Sequence, residues 1–200
     1  MDKFLTNFNY DTYNDQEINF KKYICKDCTQ KKKVYEYDSS NKLPKDMLNI
    51  GYIEVLSGMY PIKVTTPTMV CPFGFNRQTN QIYLQFTNLK TDPEMNGFFN
   101  FIQMMEHRQM KYLGLTSEDI DLYISQIKYD KKEKYDPNLV TKVPFRSNRY
   151  EVDVRTSDNE CSIANIYNFS KMKCDIYIDN IWKFNGKFVC KWKVSRILLV

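Results

Sequence analysis

The residues with the clearest chemical potential stand near the C-terminal end, in Trp182-Lys183-Phe184-Asn185-Gly186-Lys187-Phe188 and onward through Lys191, Trp192 and Lys193. Asn-Gly accepts the positive φ that a two-residue type I′ turn requires at both positions, so this stretch predicts a hairpin. A tight turn pairs Phe184 with Lys187, Trp182 with Val189, Asn180 with Lys191 and Ile178 with Lys193, all on one face, because directly opposite residues project together. The other face then carries Tyr177, Ile181, Phe188, Cys190, Trp192 and Val194 and looks into the core. A one-residue bulge would exchange the two faces. The first face interleaves rings with ammonium groups, and after Asp179 the chain holds five basic residues and no acidic one. Unpaired bases stack on aromatic rings for about 1–3 kcal/mol each while lysines follow the phosphates, so such a face suits single-stranded nucleic acid. Its affinity would fall steeply with salt. Outward lysines on a strand also serve simply to solvate it and to discourage edge pairing.

Two further stretches mix basic and aromatic residues: Lys128 to Tyr135, which includes Tyr129, and Phe145-Arg146-Ser147-Asn148-Arg149-Tyr150. Both read as loops. Beside a barrel face such loops clamp a crossing strand, although most charged loops are only solvated.

Catalytic chemistry finds little support. His107 is the single histidine, which excludes centres built on two imidazoles. No phosphate-binding glycine motif and no nucleophile elbow occurs, and six glycines leave little room for a backbone cradle. Glu151 and Asp153 are placed to share a strand face, either as two metal ligands or as a solvated edge, but no third carboxylate falls at a compelling offset. Cys25-Lys26-Asp27-Cys28 has the spacing of half a zinc knuckle without a second half. Cys71 and Cys190 read as reduced core thiols. The expectation is a protein that is not an enzyme, with no catalytic residue, metal or cofactor.

The elements that must position these groups fit one domain of 200 residues, 42% apolar and 26% charged, with a formal charge of +5. No apolar run approaches the roughly 20 residues of a membrane span, and Met1-Asp2-Lys3-Phe4 lacks the apolar core of a signal peptide. The expected location is intracellular, with no membrane partner. Residues 1–49 read as a partly irregular N-terminal extension, anchored on a body at 50–200 by residues such as Phe4, Phe8, Tyr10 and Tyr13. Tyr52–Leu56 reads as a strand, Pro61, Pro67 and Pro72 punctuate an extended region ending in a turn at Pro72-Phe73-Gly74, and Gln81–Phe86 alternates at period two. After Asp92-Pro93-Glu94 the spacing of Phe98, Phe101, Ile102 and Met105 predicts a helix ending near Gly114. Thr116 or Ser117 then caps a short helix carrying Ile120 and Ile124. Strands follow near 126–129, 139–143, 150–154, 173–178 and 188–199. The fold class this predicts is mainly β with inserted helices, as a small antiparallel barrel.

Thr66-Pro67-Thr68-Met69-Val70-Cys71-Pro72-Phe73-Gly74-Phe75-Asn76 and Ile181-Trp182-Lys183-Phe184-Asn185-Gly186-Lys187-Phe188, continuing to Trp192-Lys193-Val194, come in this order with a helix and short strands between them. Together they resemble the single-stranded-DNA-binding proteins of nucleo-cytoplasmic large DNA viruses, which are similar to the one-barrel replication proteins of certain tailed phages. The resemblance covers residues 50–200. It implies an OB-like five-stranded barrel that coats and protects unpaired DNA during viral replication, recombination or repair, in the host cytoplasm or a viral replication factory. Single-stranded DNA is the implied partner, with RNA, further copies of the chain and replication proteins left open. The phage-type proteins end in an acidic tail, whereas this sequence ends Ile197-Leu198-Leu199-Val200. That departure puts tail-mediated recruitment in doubt. On the hairpin argument Trp182 and Phe184, with Phe73, Tyr129 and Tyr150, would stack bases, and Lys187, Lys191, Lys193, Arg146 and Arg149 would neutralise phosphate. The alternative is a structural or virion-interaction protein with the same barrel, no nucleic-acid activity and Phe73-Gly74-Phe75 inserted into a partner. A weaker third reading is a metal-dependent nuclease using Glu151 and Asp153.

Overall fold

The computed structural model describes residues 6–12, 17–24, 33–34, 51–184 and 186–200. Cys25, Cys28, Phe4, Tyr13 and Asn185 lie outside these residues, as does the side chain of Phe184. The N-terminal strands are β1 (Thr6–Asn7), β2 (Ile18–Ile24) and β3 (Lys33–Val34), followed by β4 (Gly51–Ser57), β5 (Tyr60–Thr65), β6 (Met69–Cys71) and β7 (Gln81–Gln85). Helix α1 (Pro93–Tyr112) and a 3-10 turn (Ser117–Leu122) precede β8 (Tyr123–Ile124), β9 (Ile127–Lys128) and β10 (Asn138–Lys142). A small hairpin of β11 (Phe145–Arg146) and β12 (Arg149–Tyr150) leads to β13 (Asp153–Arg155), and two long strands, β14 (Ser170–Phe184) and β15 (Lys187–Leu199), complete the chain.

Five strands close on themselves: β6 pairs β7, β7 pairs β10, β10 pairs β15, β15 pairs β14, and β14 returns to β6. The β10–β15 contact is parallel and the other four are antiparallel. Numbered along the barrel, the circuit runs first, second, third, fifth, fourth and back to first, an OB-like closed barrel. Closure leaves these strands without a free edge. The first barrel strand is bent. β5 and β6 both pair along β14, and at the break Pro67 supplies no amide donor, while the Thr66 hydroxyl accepts from Cys174 N–H at 3.0 Å and keeps the two halves on one line.

The period-two residues Ile82, Leu84 and Phe86 are all buried, as read from the sequence, and they meet Met69, Cys71, Leu139, Cys174, Ile176, Trp192 and Val194. Helix α1 packs on this core through Phe86 against Phe98 and Phe99 and through Trp192 against Phe101. It starts where Asp92 accepts from Met95 N–H at 3.1 Å with Pro93 in the first turn, and it stops where Gly114 takes φ +68°. Phe8 and Tyr10 join the same cluster against Phe101 and Phe98, and β2 pairs along all of β4. Part of the N-terminal extension is therefore sheet.

Three local expectations are corrected. Ile124 lies in β8, paired with Val189, because the turn over Ser117–Leu122 ends before it. The strand expected over 150–154 is broken into β12 and β13, since Glu151 N–H donates back to Pro144 O. The stretch Phe145–Tyr150 is a hairpin, with Ser147 and Asn148 at φ +50° and +59° supplying the turn without a glycine.

A buried polar cluster ties α1 to β8 and β9. Glu106 accepts from Ser125 Oγ at 2.7 Å and Gln126 N–H at 2.6 Å, and the Tyr123 hydroxyl donates to Gln109 Oε1 at 2.6 Å. Burial raises the Glu106 carboxyl above its ordinary value of 4.5, although its donors pull the other way. The folded state thus holds this proton more tightly than the unfolded chain, so the contribution of Glu106 is most favourable in acid and is lost as pH rises through the raised value. Urea unfolding should show Glu106→Gln gaining stability relative to the parent as pH rises above the ordinary carboxyl value, and Glu106→Ala, which strands two donors, losing about 2 kcal/mol.

Candidate nucleic-acid interface

On strands whose inner residues fill a core, the alternate residues form rows across the outside. One such row crosses the barrel as Gln81, Lys142, Lys193 and Tyr177, each paired with the next. A second brings Tyr83 beside Val140, and a third runs Lys171, Val70, Gln85 and Asn138. Lys191 sits two residues before Lys193 on the same side of β15. The outer face of β7, β10 and β15 therefore carries Lys142, Lys191 and Lys193 beside Tyr83. Phe73, from the turn after β6, is 63% exposed and stands edge-on to Tyr83 with ring centres 5.6 Å apart.

Lys142 senses the other two lysines. Lys142 has its pKa lowered, first by burial and then by the charges of Lys191 and Lys193, and its ammonium donates to Thr79 O. An anion over this row would relieve that repulsion. Acids intrude on the row, and the nearer, Asp179, holds Lys193 Nζ at 3.1 Å. Tyr177 is pushed up to about 12 by burial, with Asp179 and Glu151 adding and Arg146 opposing, so it remains a neutral phenol.

The hairpin register agrees with expectation at Phe184 opposite Lys187 and Trp182 opposite Val189, and then departs from it. Between Ile181–Cys190 and Ile178–Trp192 the β14 strand holds one extra residue, a bulge at Asp179-Asn180. Ile178 consequently faces the core opposite Trp192, and Tyr177 moves outward opposite Lys193, which reverses their expected sides. Val189 is buried as well, because β8 lies against that part of β15.

Trp182 is 40% exposed, with its ring 5.1 Å from Tyr52 where β14 has left the barrel to pair with β4. Lys187 is exposed at the turn beyond it. Both lie up the ribbon from the lysine row. Arg146 and Arg149 are exposed on the β11–β12 hairpin, Arg146 3.8 Å from Glu151. Tyr150 is half-buried and acts as a strut: its ring packs edge-on against Phe75 at 5.0 Å and its hydroxyl donates to Asn80 Oδ1 at 3.3 Å. The ring that this hairpin presents outward is Phe145. Tyr129 is exposed but tied to α1, its hydroxyl accepting from Gln103 at 3.1 Å, so it stands apart from the lysine row.

Sequence reasoning passed over Lys142, Tyr83 and Phe145. Tyr83 was available as the outward member of the Ile82-Tyr83-Leu84 alternation, whereas Lys142 gains its place only from the parallel β10–β15 pairing. The nuclease candidates carry basic partners, with Asp153 2.8 Å from Arg155 and 3.7 Å from Arg196. Among the described residues there is no cluster of three or more His, Cys, Asp or Glu able to hold a metal ion, and no helix is long and apolar enough to cross a membrane.

No protein-family profile and no curated protein sequence matches the chain. Among solved structures, the single-stranded DNA-binding protein from bacteriophage Enc34 in complex with ssDNA is similar to it with a TM-score of 0.48 and 12% identity, over 74% of this chain and 89% of that one. A C-terminal truncation of the Enc34 protein aligns with a TM-score of 0.48 and 13% identity, over 74% and 87% of the two chains.

The turn that carries Phe73 depends on Gly74. Its φ is +64°, and a Cβ there would lie 2.9 Å from Ile166 O. Gly74→Ala should therefore lower stability by at least about 2 kcal/mol in urea unfolding, combining left-handed strain with a backbone clash.

Proposed function

We propose that the chain is a non-enzymatic, sequence-tolerant single-stranded-DNA-binding protein that lays an unpaired strand across the outer face of β7, β10 and β15. One observation carries this reading: the ammonium group of Lys142, acted on by the charges of Lys191 and Lys193, stands with them beside the outward rings of Tyr83 and Phe73 on the second, third and fifth strands of an OB-like barrel. OB-folds take oligonucleotides on the second and third strands and the adjoining loops. Here those loops hold Phe73 between the first two strands and the Trp182–Lys187 ribbon end between the last two. Phosphates would relieve the lysine row while bases lie on the rings, with Arg146 and Arg149 reaching over from their hairpin. The role we propose for this activity is the coating of unpaired DNA during viral replication, recombination or repair, a reading that the resemblance of residues 50–200 to proteins of nucleo-cytoplasmic large DNA viruses supports. Copies of the chain and replication proteins are the further partners that role would bring.

Fluorescence titration with poly(dT) at graded salt tests the proposal. The logarithm of affinity should fall linearly with the logarithm of salt at about −0.7 per neutralised phosphate, and Lys142→Gln with Lys191→Gln should make that slope shallower by about 1.4. Phe73→Ala should cost about tenfold in affinity. Absence of binding at low salt, or binding indifferent to Trp182→Ala combined with Lys191→Ala, would remove the proposal. In the same titration Asp179→Asn, which releases Lys193, should tighten binding and steepen the slope by about 0.7.

A further inference from the structure

Among the exposed rings that the interface above does not use, two stand on one loop. Tyr167 and Phe169 are 67% and 72% exposed on the loop that precedes β14. This loop is joined backbone to backbone with the Phe73 turn: Phe169 N–H donates to Cys71 O at 2.7 Å, Phe75 N–H donates to Ile166 O at 3.3 Å, and Gly74 fits against Ile166 and Tyr167 only because it has no side chain. Phe169 sits at φ +65°, a left-handed conformation that a bulky residue rarely adopts, so a ring is held outward where asparagine or glycine would be easier. Just beyond, Lys171 and Lys173 are exposed, and Lys171 opens the outer row that continues through Val70 and Gln85 to Asn138. From Ile163 to Cys174 the sequence has two lysines, Lys171 and Lys173, and no acid.

We infer that the DNA track does not end at Phe73 but continues over β6 onto this loop, where Tyr167 and Phe169 stack additional unpaired bases and Lys171 and Lys173 follow their phosphates. The inference rests on the proposed function. Continuity with the Phe73 turn and the exposed ammonium groups of Lys171 and Lys173 beside the two rings select nucleic acid as the occupant, because phosphates need positive charge next to the surfaces on which their bases stack.

Anisotropy titrations of labelled dT6 and dT24 separate the two claims. Tyr167→Ala with Phe169→Asn removes both rings while asparagine tolerates the left-handed backbone. It should weaken dT24 at least tenfold and leave dT6 unchanged. Lys171→Gln with Lys173→Gln, which alters surface charge alone, should weaken dT24 several-fold and flatten its salt dependence. Parental affinity for dT24 in both variants would overturn the extension and leave the primary interface standing. An equal loss on dT6 and dT24 would also overturn it, since the rings would then belong to the primary site. Failure of the parent protein to bind either oligonucleotide would overturn the proposed function and this inference with it.

Discussion

The pairing of β14 with β15 is the constraint on which the rest of the molecule depends. β14 hydrogen-bonds to β4, β5 and β6, and β15 to β8, β10 and β13, so their shared register fixes the position of nearly every other strand. Two irregularities in that register, near Asp175-Ile176 and at Asp179-Asn180, twist the ribbon so that its lower part belongs to the barrel while its upper part leaves to form a sheet with β4 and β2. A flat ribbon would not serve both. Slippage by one residue would exchange Trp192 and Val194 for Lys191 and Lys193 in the core, a change costing far more than the protein's whole margin of stability.

Core and candidate interface are consequently two sides of one strand. Trp192, against Phe101, and Val194 are buried because Lys191 and Lys193 are not, and the parallel contact with β10 brings Lys142 beside them. This concentrates like charge in a row where Lys191 and Lys193 act against the charge of Lys142. The bulge that sets the twist also delivers Asp179 to Lys193, so the same backbone irregularity that closes the barrel limits the field on its face. Rigid supports surround the row: Tyr150 braces the β11–β12 hairpin against Phe75 and Asn80, and Gly74 allows the Phe73 turn to rest on the loop before β14.

Local patterns made much of this legible. Alternation at Ile82, Leu84 and Phe86, the Asp92-Pro93 start and Gly114 stop of α1, and the tip pairing of the last hairpin all depend on residues close in sequence, and the structure agrees with each. What was hidden depends on neighbours far apart. The sides of Ile178 and Tyr177 follow from a bulge that no residue type announces, and the closeness of Lys142 to Lys193 follows from a parallel pairing across some fifty residues of chain. Ser147-Asn148 makes a tight turn without glycine, and β5 and β6 form a strand despite Pro61 and Pro67 because Pro61 begins its pairing with β4 and Thr66 bridges the break. Glu106 was not singled out, since its role arises only when Ser125 and Gln126 fold back onto the helix.

The central claim, that an unpaired strand crosses the face made by β7, β10 and β15, is tested most directly by photocrosslinking. An oligonucleotide carrying 5-iodouracil, irradiated in complex with the protein and mapped by mass spectrometry, should attach to peptides containing Phe73, Tyr83 or Phe145. Attachment confined to α1 around His107, on the opposite side of the Phe86–Trp192 core, would contradict the account.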